Sequence, residues 1–259
     1  MDLGISGKKA IICASSRGLG KGCAIALAEA GCDVVLNGRN EQVLAATAEE
    51  IRNATGARVE QVIADVSTSA GQDALLAACP NPDILVNNNG GPPFRDFREL
   101  DRAALLEGVT QNMVTPIELI QRVIDGMCER EFGRIVNITS SSVYMPIPGL
   151  DLSSGARAGL TSFLAGVART VADRNVTINF LLPGKMDTDR LTSSFKNTSE
   201  KTGKSIEEVK QATLQQIPAK RAGTISEFGN TCAFLCSRHA GYMTGRSLLV
   251  DGGIYPSAF

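Results

Sequence analysis

Two stretches of this 259-residue chain carry residue types that could do chemistry. The first is Ser15-Ser16-Arg17-Gly18-Leu19-Gly20, a glycine turn with hydroxyls and a cation. Gly18 and Gly20 let a backbone approach a pyrophosphate, and the free N–H groups of a helix opening there would face the anion. The second runs from Ser140 to Arg157 and begins with three consecutive serines. Hydroxyls at a strand end beside a helix opening stand where open α/β sheets place their chemistry. His239 is the only histidine, in a setting that reads as a helix end, which argues against a histidine-dependent triad or a histidine-rich metal site. Seven cysteines are scattered without a Cys-x-x-Cys pair and read as buried small hydrophobes in a reducing cytosol rather than metal ligands.

These groups need elements to position them. Lys8 to Ala14 reads as a first strand, Lys21 to Ala30 as a helix stopping at Gly31, and Asp33 to Asn37 as a second strand. Strand, glycine turn, helix and strand within about thirty residues is the setting a phosphate-binding turn requires. The alternation continues with a helix over 41–55, a strand over 58–64, a short helix over 72–78 and a strand over 83–86. A long helix is expected over 101–125, a strand over 134–139, a helix from about Leu152 to Asp173 and a strand over 177–182. Such alternation predicts a Rossmann-like doubly wound parallel β-sheet with helices on both faces, in a single α/β domain over residues 1–259. Residues 188–220 are polar, with a helix expected over 205–216, and read as a substrate lid. A helix over 227–237 and a strand over 247–250 close the chain.

The end of the second strand reports on the nucleotide. An acid there would hold ribose hydroxyls, whereas the sequence reads Asn37-Gly38-Arg39, with Arg17 in the glycine turn. Two arginines near the adenosine ribose favour NADP(H) over NAD(H) through charge-assisted pairing with a 2′-phosphate. A formal net charge of −1 gives no broad footprint for nucleic acid. No apolar run reaches about 18 residues, so no membrane span is expected. The polar start, Met-Asp-Leu-Gly-Ile-Ser-Gly-Lys-Lys, lacks the order of a secretory signal, and a cytoplasmic location is expected.

In this order the segments resemble the short-chain dehydrogenase/reductases, and more narrowly the 3-oxoacyl-carrier-protein-reductase-like group. The resemblance spans essentially the whole chain. It implies an adenine contact at Asp65-Val66, a cofactor turn at Asn88 and Gly90, and a nicotinamide clasp at Pro183-Gly184 with Thr188. It also implies that Asn112 is the helix asparagine of the catalytic tetrad and that Ser140 orients the substrate carbonyl. Tyr242 to Gly253 looks like the family's closing strand.

Two departures stand out. The family's first turn usually reads Thr-Gly, where this chain has Cys13-Ala14, and a methyl there crowds a tight turn. Family members also place a tyrosine thirteen residues after the serine and a lysine four residues further on. Here those positions hold Ser153 and Arg157. In the family the tyrosine is the general acid and the lysine lowers its pKa. A phenol titrates near 10 and comes within reach of neutral pH beside a cation. A serine hydroxyl is a far weaker acid and falls a ring's length short. Arg157 keeps the charge but does not release its proton.

Tyr144, in a loop expected to line the cleft, is a candidate replacement acid, and Lys185, Asp151 and Asp187 are expected near the same cleft. The expected activity is hydride transfer with small carbonyls or alcohols. The alternatives are a dinucleotide-binding sensor or scaffold without turnover, or a non-redox reaction on the same fold. The small residues of the helix from Leu152, among them Gly155, Gly159 and Gly166, point to a homo-oligomer of the kind this family forms, a tetramer or a dimer.

Overall fold

The alternating buried residues of each strand divide between two faces of one sheet. Ala10 and Ile12 of β1 (Lys9–Ile12) join one apolar layer while Ile11 joins the other, as a period of two dictates. The computed structural model describes residues 1–91 and 94–257. Seven parallel strands form the sheet: β1, β2 (Asp33–Gly38), β3 (Val59–Ile63), β4 (Ile84–Asn87), β5 (Gly133–Ile138), β6 (Val176–Pro183) and β7 (Ser247–Val250). Their spatial order is 3-2-1-4-5-6-7. The chain reverses its direction of travel between β1 and β4, and that switch point opens a crevice at the carboxyl ends of the strands. The expected doubly wound α/β architecture is the one observed.

Helices α1 (Gly18–Glu29), α2 (Glu41–Thr55) and α9 (Ile225–Cys236) pack on one face through residues such as Leu27, Leu44 and Phe228. Helices α3 (Ser69–Ala78), α5 (Thr115–Glu129) and α6 (Asp151–Thr170) cover the other through Leu75, Leu119 and Leu160. Glycines set the closeness of α1 and α9. A Cβ on Gly22 would run into the Ile225 carbonyl, and one on Gly229 would run into the Gly22 carbonyl. The two backbones therefore touch with no side chain between them. All seven cysteines are free thiols and six are buried, as their setting predicts.

Three elements differ from the sequence reading. The first helix begins at Gly18, in the glycine turn itself, rather than at Lys21. The long helix expected over 101–125 is α4 (Arg102–Val109) and α5 joined by a π-helical turn at Thr110–Val114. Pro116 has no N–H to bond the Asn112 carbonyl four residues earlier, so α-helical bonding fails there and the wider turn takes over. The polar stretch after Thr188 contains α7 (Asp189–Thr202) as well as α8 (Ile206–Gln215). Serines, threonines and an asparagine hide α7, because their intrinsic helix preference is weak. Leu191 and Phe195, one turn apart, bury against Val209 and hold it in place.

Candidate functional site

At the first strand end, Ala14 takes a left-handed φ of 45°, a conformation a residue with a Cβ adopts at a cost. Neighbours hold it there. Its N–H donates to Asn37 Oδ1 at 3.2 Å, and its carbonyl accepts from Asn88 Nδ2 at 3.1 Å. Asn37 also donates to the carbonyls of Val62 and Ala64 at 3.1 and 3.0 Å, so its buried amide binds β2 to β3 and to the turn. Ser15 is fully buried, donating to the Ile12 carbonyl at 2.8 Å and accepting from the Asn37 N–H at 3.0 Å. Both were expected against the nucleotide. Their side chains instead brace the turn from behind, because a buried polar group must be satisfied within the protein.

Side chains cap α2, α3, α4, α8 and α9, namely Asn40, Thr68, Asp101, Ser205 and Thr224, whereas α6, α7 and, at the glycine turn, α1 open without one. Its first N–H groups keep their capacity for an anion. Gly20 seals the turn: a Cβ there would strike the Ala14 carbonyl and come within 2.8 Å of Asn88 Nδ2. Ser16 offers its carbonyl to Thr47 Oγ1 at 2.8 Å, which ties the turn to α2. At the rim, Arg39 lies 3.6 Å from Asp65 and Arg17 lies 3.6 Å from Asp189. Both arginines are well exposed, and such long surface pairs contribute little. Ser67, which donates its hydroxyl and its N–H to Asp65, does most to hold that carboxyl below its ordinary range, and Arg39 adds to it. Val66 is buried in the core, and the Gly90 N–H donates to Asn89 Oδ1 at 2.9 Å.

Beyond the cradle, a cleft of about 400 Å³ runs along the strand ends. It gathers Leu19 and Asn88 with Thr139 and Ser140 after β5, Ser153 and Arg157 on α6, and Pro183, Gly184, Lys185 and Thr188 after β6. The Ser140 hydroxyl accepts from the Ser142 N–H at 3.1 Å and from the Ser142 hydroxyl at 2.9 Å, which leaves its own O–H as a donor. Arg157 is buried. It donates to the Ile138 carbonyl at 2.6 Å, to Ser153 Oγ at 3.2 Å and to the Asn89 carbonyl at 3.5 Å. Burial, and secondarily the charge of Arg190, lower its pKa to about 10, so it stays protonated at neutral pH. Burial likewise lowers the Lys185 ammonium. The Cys13 thiol behind the turn is pushed up to about 12 by burial and is inert.

Asn112 lies behind the cleft and is not on its wall. It is buried in the π-helical turn, donates to the Gly108 carbonyl at 3.1 Å, and has no partner for its Oδ1. With Arg157, Asn87 and Thr115 it lines a separate void of about 20 Å³, the volume of one water. Tyr144 is not on the cleft wall. It stacks on Tyr255 with ring centroids 5.5 Å apart and is 45% exposed, while Met145 and Ile147 of the same loop face the cleft. Asp151 and Asp187 are exposed and off the wall. Sequence reasoning missed Thr139 and Arg190. Thr139 is buried with an unpartnered hydroxyl, and Arg190 joins the wall through the start of the unforeseen α7.

The family described as enoyl-(acyl carrier protein) reductase matches residues 13–255. The chain is 31% identical to the 3-oxoacyl-(acyl-carrier-protein) reductase FabG of Aquifex aeolicus (strain VF5), over 98% of this chain and 100% of that protein. It is 30% identical to the NADPH-dependent reductase BacG of Bacillus subtilis (strain 168), over 96% and 98% of the two chains. The crystal structure of L-sorbose reductase from Gluconobacter frateurii, complexed with NADPH and L-sorbose, superposes with a TM-score of 0.93 at 29% identity, covering 99% of this chain and 100% of that one.

Proposed function

The chain belongs to the short-chain dehydrogenase/reductase family, in its 3-oxoacyl-carrier-protein-reductase-like group, and from that premise we propose that it is an NADP(H)-dependent oxidoreductase acting on a small carbonyl or alcohol. One observation carries the reading: α1 opens without a side-chain cap behind a turn that tolerates no Cβ at Gly20. That cradle fits a pyrophosphate. Arg17 and Arg39 are the groups for a 2′-phosphate, since their exposed pairs with Asp189 and Asp65 are weak competitors. Asn88, Gly90, Pro183, Gly184 and Thr188 are the groups for the nicotinamide end, and α7 with α8 forms the lid. The NADPH-dependence of BacG and the NADPH-bound L-sorbose reductase support the nucleotide choice.

When bound, the nicotinamide supplies or accepts the hydride. In this chain Ser140 donates its O–H to the substrate oxygen, and Ser142 orients that hydroxyl. Arg157 keeps a positive charge beside Ser153, which favours developing negative charge on an oxygen nearby. Neither Ser153 nor Arg157 delivers a proton as a phenol would, and general acid catalysis typically supplies ~10²–10⁴ in rate. The proximity contribution remains. Turnover should therefore be slow.

The second reading is a dinucleotide-binding sensor or scaffold. It is favoured by the Ser153–Arg157 bond and by the seating of Tyr144 on Tyr255, which together leave no phenol on the described cleft wall. Fluorescence titration with NADPH and NADH, followed by a carbonyl panel at the NADPH absorbance band, separates the two. Preferential NADPH binding with measurable turnover is expected. Binding without turnover favours the sensor, and no affinity for either nucleotide removes both. A Cβ added to Gly155 or Gly166 on α6 would meet no other atom within 4 Å, and Phe163 between them is 50% exposed, which supports a homo-oligomer, tetramer or dimer, checked by light scattering. No helix among the described residues is long and apolar enough to cross a membrane, and a cytoplasmic setting is proposed with it.

A further inference from the structure

The cleft is lined by three cations, Arg157, Lys185 and Arg190, and by no aspartate or glutamate among the described residues. The phosphates of the nucleotide do not account for this. On the proposed function its pyrophosphate is met by the first N–H groups of α1, of which only Leu19 touches the cleft, and its 2′-phosphate by Arg17 and Arg39, which lie off the cleft wall.

Lys185 is held in place by its backbone on both sides. The Gly184 N–H donates to the Val250 carbonyl at 2.9 Å, and the Gly223 N–H donates to the Lys185 carbonyl at 3.0 Å. A Cβ on Gly184 would come within 2.6 Å of Asp251 Cβ, so the chain passes tightly against β7 just before it presents the lysine. The ammonium is half-buried and makes no hydrogen bond or ion pair with the described residues. A partly buried cation with no protein partner can be matched by an anion that arrives with a ligand. Arg157 differs, since three of its nitrogens already donate to Ile138, Ser153 and Asn89. It contributes charge, while Lys185 keeps three donors for the ligand. The buried Thr139 hydroxyl, also on the wall, has no partner.

We propose that the substrate carries an anionic group, a carboxylate or a phosphate, which Lys185 binds in the cleft with Arg190 and Arg157 adding field. The proposal rests on the oxidoreductase reading and names its substrate class. With the nicotinamide sharing about 400 Å³, the partner is a small acid bearing a carbonyl or hydroxyl.

Calorimetric titration of the full chain, with and without saturating NADP, uses levulinate, its methyl ester and acetol phosphate. The acid and the ester share a ketone and differ in charge. The anions should bind about ten- to a hundredfold more tightly than the ester, as charged hydrogen bonds imply. The tighter of the two anions identifies the head group. Lys185→Gln should erase the preference, Lys185→Arg should keep most of it, and NADPH affinity should be unchanged in both. Equal binding of acid and ester overturns the proposal, and so does a preference that survives in Lys185→Gln. A variant that loses NADPH affinity but keeps the anion preference assigns the lysine to the nucleotide and overturns it as well. A wild type that prefers the anions yet binds no dinucleotide supports this site while removing the oxidoreductase reading.

Discussion

The nucleotide cradle and the cleft beside it, two walls of one crevice, answer substitution differently. On the wall built by β1, α1 and β2, alanine stands where the family's turn has glycine, and the turn survives. Ala14 adopts φ 45°, and Asn37 and Asn88 bond its N–H and carbonyl. On the wall built by β5 and α6, the family resemblance implies that Ser153 and Arg157 stand in the places of a tyrosine and a lysine, and Arg157 donates to Ile138 and Ser153. The first wall works through backbone N–H groups, which every residue but proline supplies, so a side chain can change if the path of the chain is kept. On the proposed function the second depends on the tip of one side chain, its reach and its acidity, which an exchange alters.

The largest expected effect tests the second wall directly. Ser153→Tyr with Arg157→Lys restores a phenol and a titratable cation on an unchanged helix. On the carbonyl panel kcat should rise by ~10²–10⁴, the usual worth of a positioned general acid. NADPH affinity should hold. Unchanged turnover in a folded double variant would mean that the proton does not limit the rate and that the contrast between the walls is misplaced.

The first wall breaks by a smaller step. In Gly20→Ala the new methyl meets the Ala14 carbonyl and comes within 2.9 Å of Ser15 Cα, atoms of a braced backbone that cannot swing aside. The variant should lose about 1–3 kcal/mol in urea unfolding, as overpacking does. NADPH affinity should fall by about tenfold or more, read by fluorescence titration. An intact affinity would show that this turn does not hold the phosphates.

The fold was readable because β1, β4 and β5 announce buried strands and Gly18 and Gly20 announce the turn. The cleft was only partly readable. Ser140, Ser153, Arg157 and Thr188 follow from register along the chain, and the structure gathers them around one cleft. Arg190 was hidden because α7 buries only Leu191 and Phe195, too few apolar residues to declare a helix. Tyr144 was misplaced because its partner, Tyr255, lies more than a hundred residues away. Sequence spacing reports neighbours within an element and says little about contacts between chain ends.

The strain on the first wall supplies a finer test. Ala14→Gly removes the left-handed penalty of about 1–2 kcal/mol but restores the backbone entropy of glycine, roughly 0.5–1 kcal/mol. The net gain should be about 0.5–1 kcal/mol in unfolding midpoints. NADPH should bind slightly more tightly, and turnover per bound nucleotide should not move. Destabilisation would show that the alanine methyl packs usefully and that the turn has no strain to release.

The smallest effect comes from behind the first wall. Glu227 sits at the start of α9, where it pairs with Arg221 at 2.6 and 2.8 Å and accepts from the Thr224 N–H at 2.8 Å. These bonds, Arg221 first, hold its pKa at about 2. A carboxyl depressed by folding stabilises the fold fully above its unfolded pKa of about 4.5 and loses that contribution as pH falls toward 2. The pair is exposed, so the loss is modest. Because α9 touches α1 at Gly22 and Gly229, it should register in the cradle. Amide exchange should quicken in α1 between about pH 4 and 2 relative to α6, and Glu227→Gln should flatten that difference. If α6 responds as strongly as α1, the two walls are one cooperative unit, and their difference lies in chemistry alone.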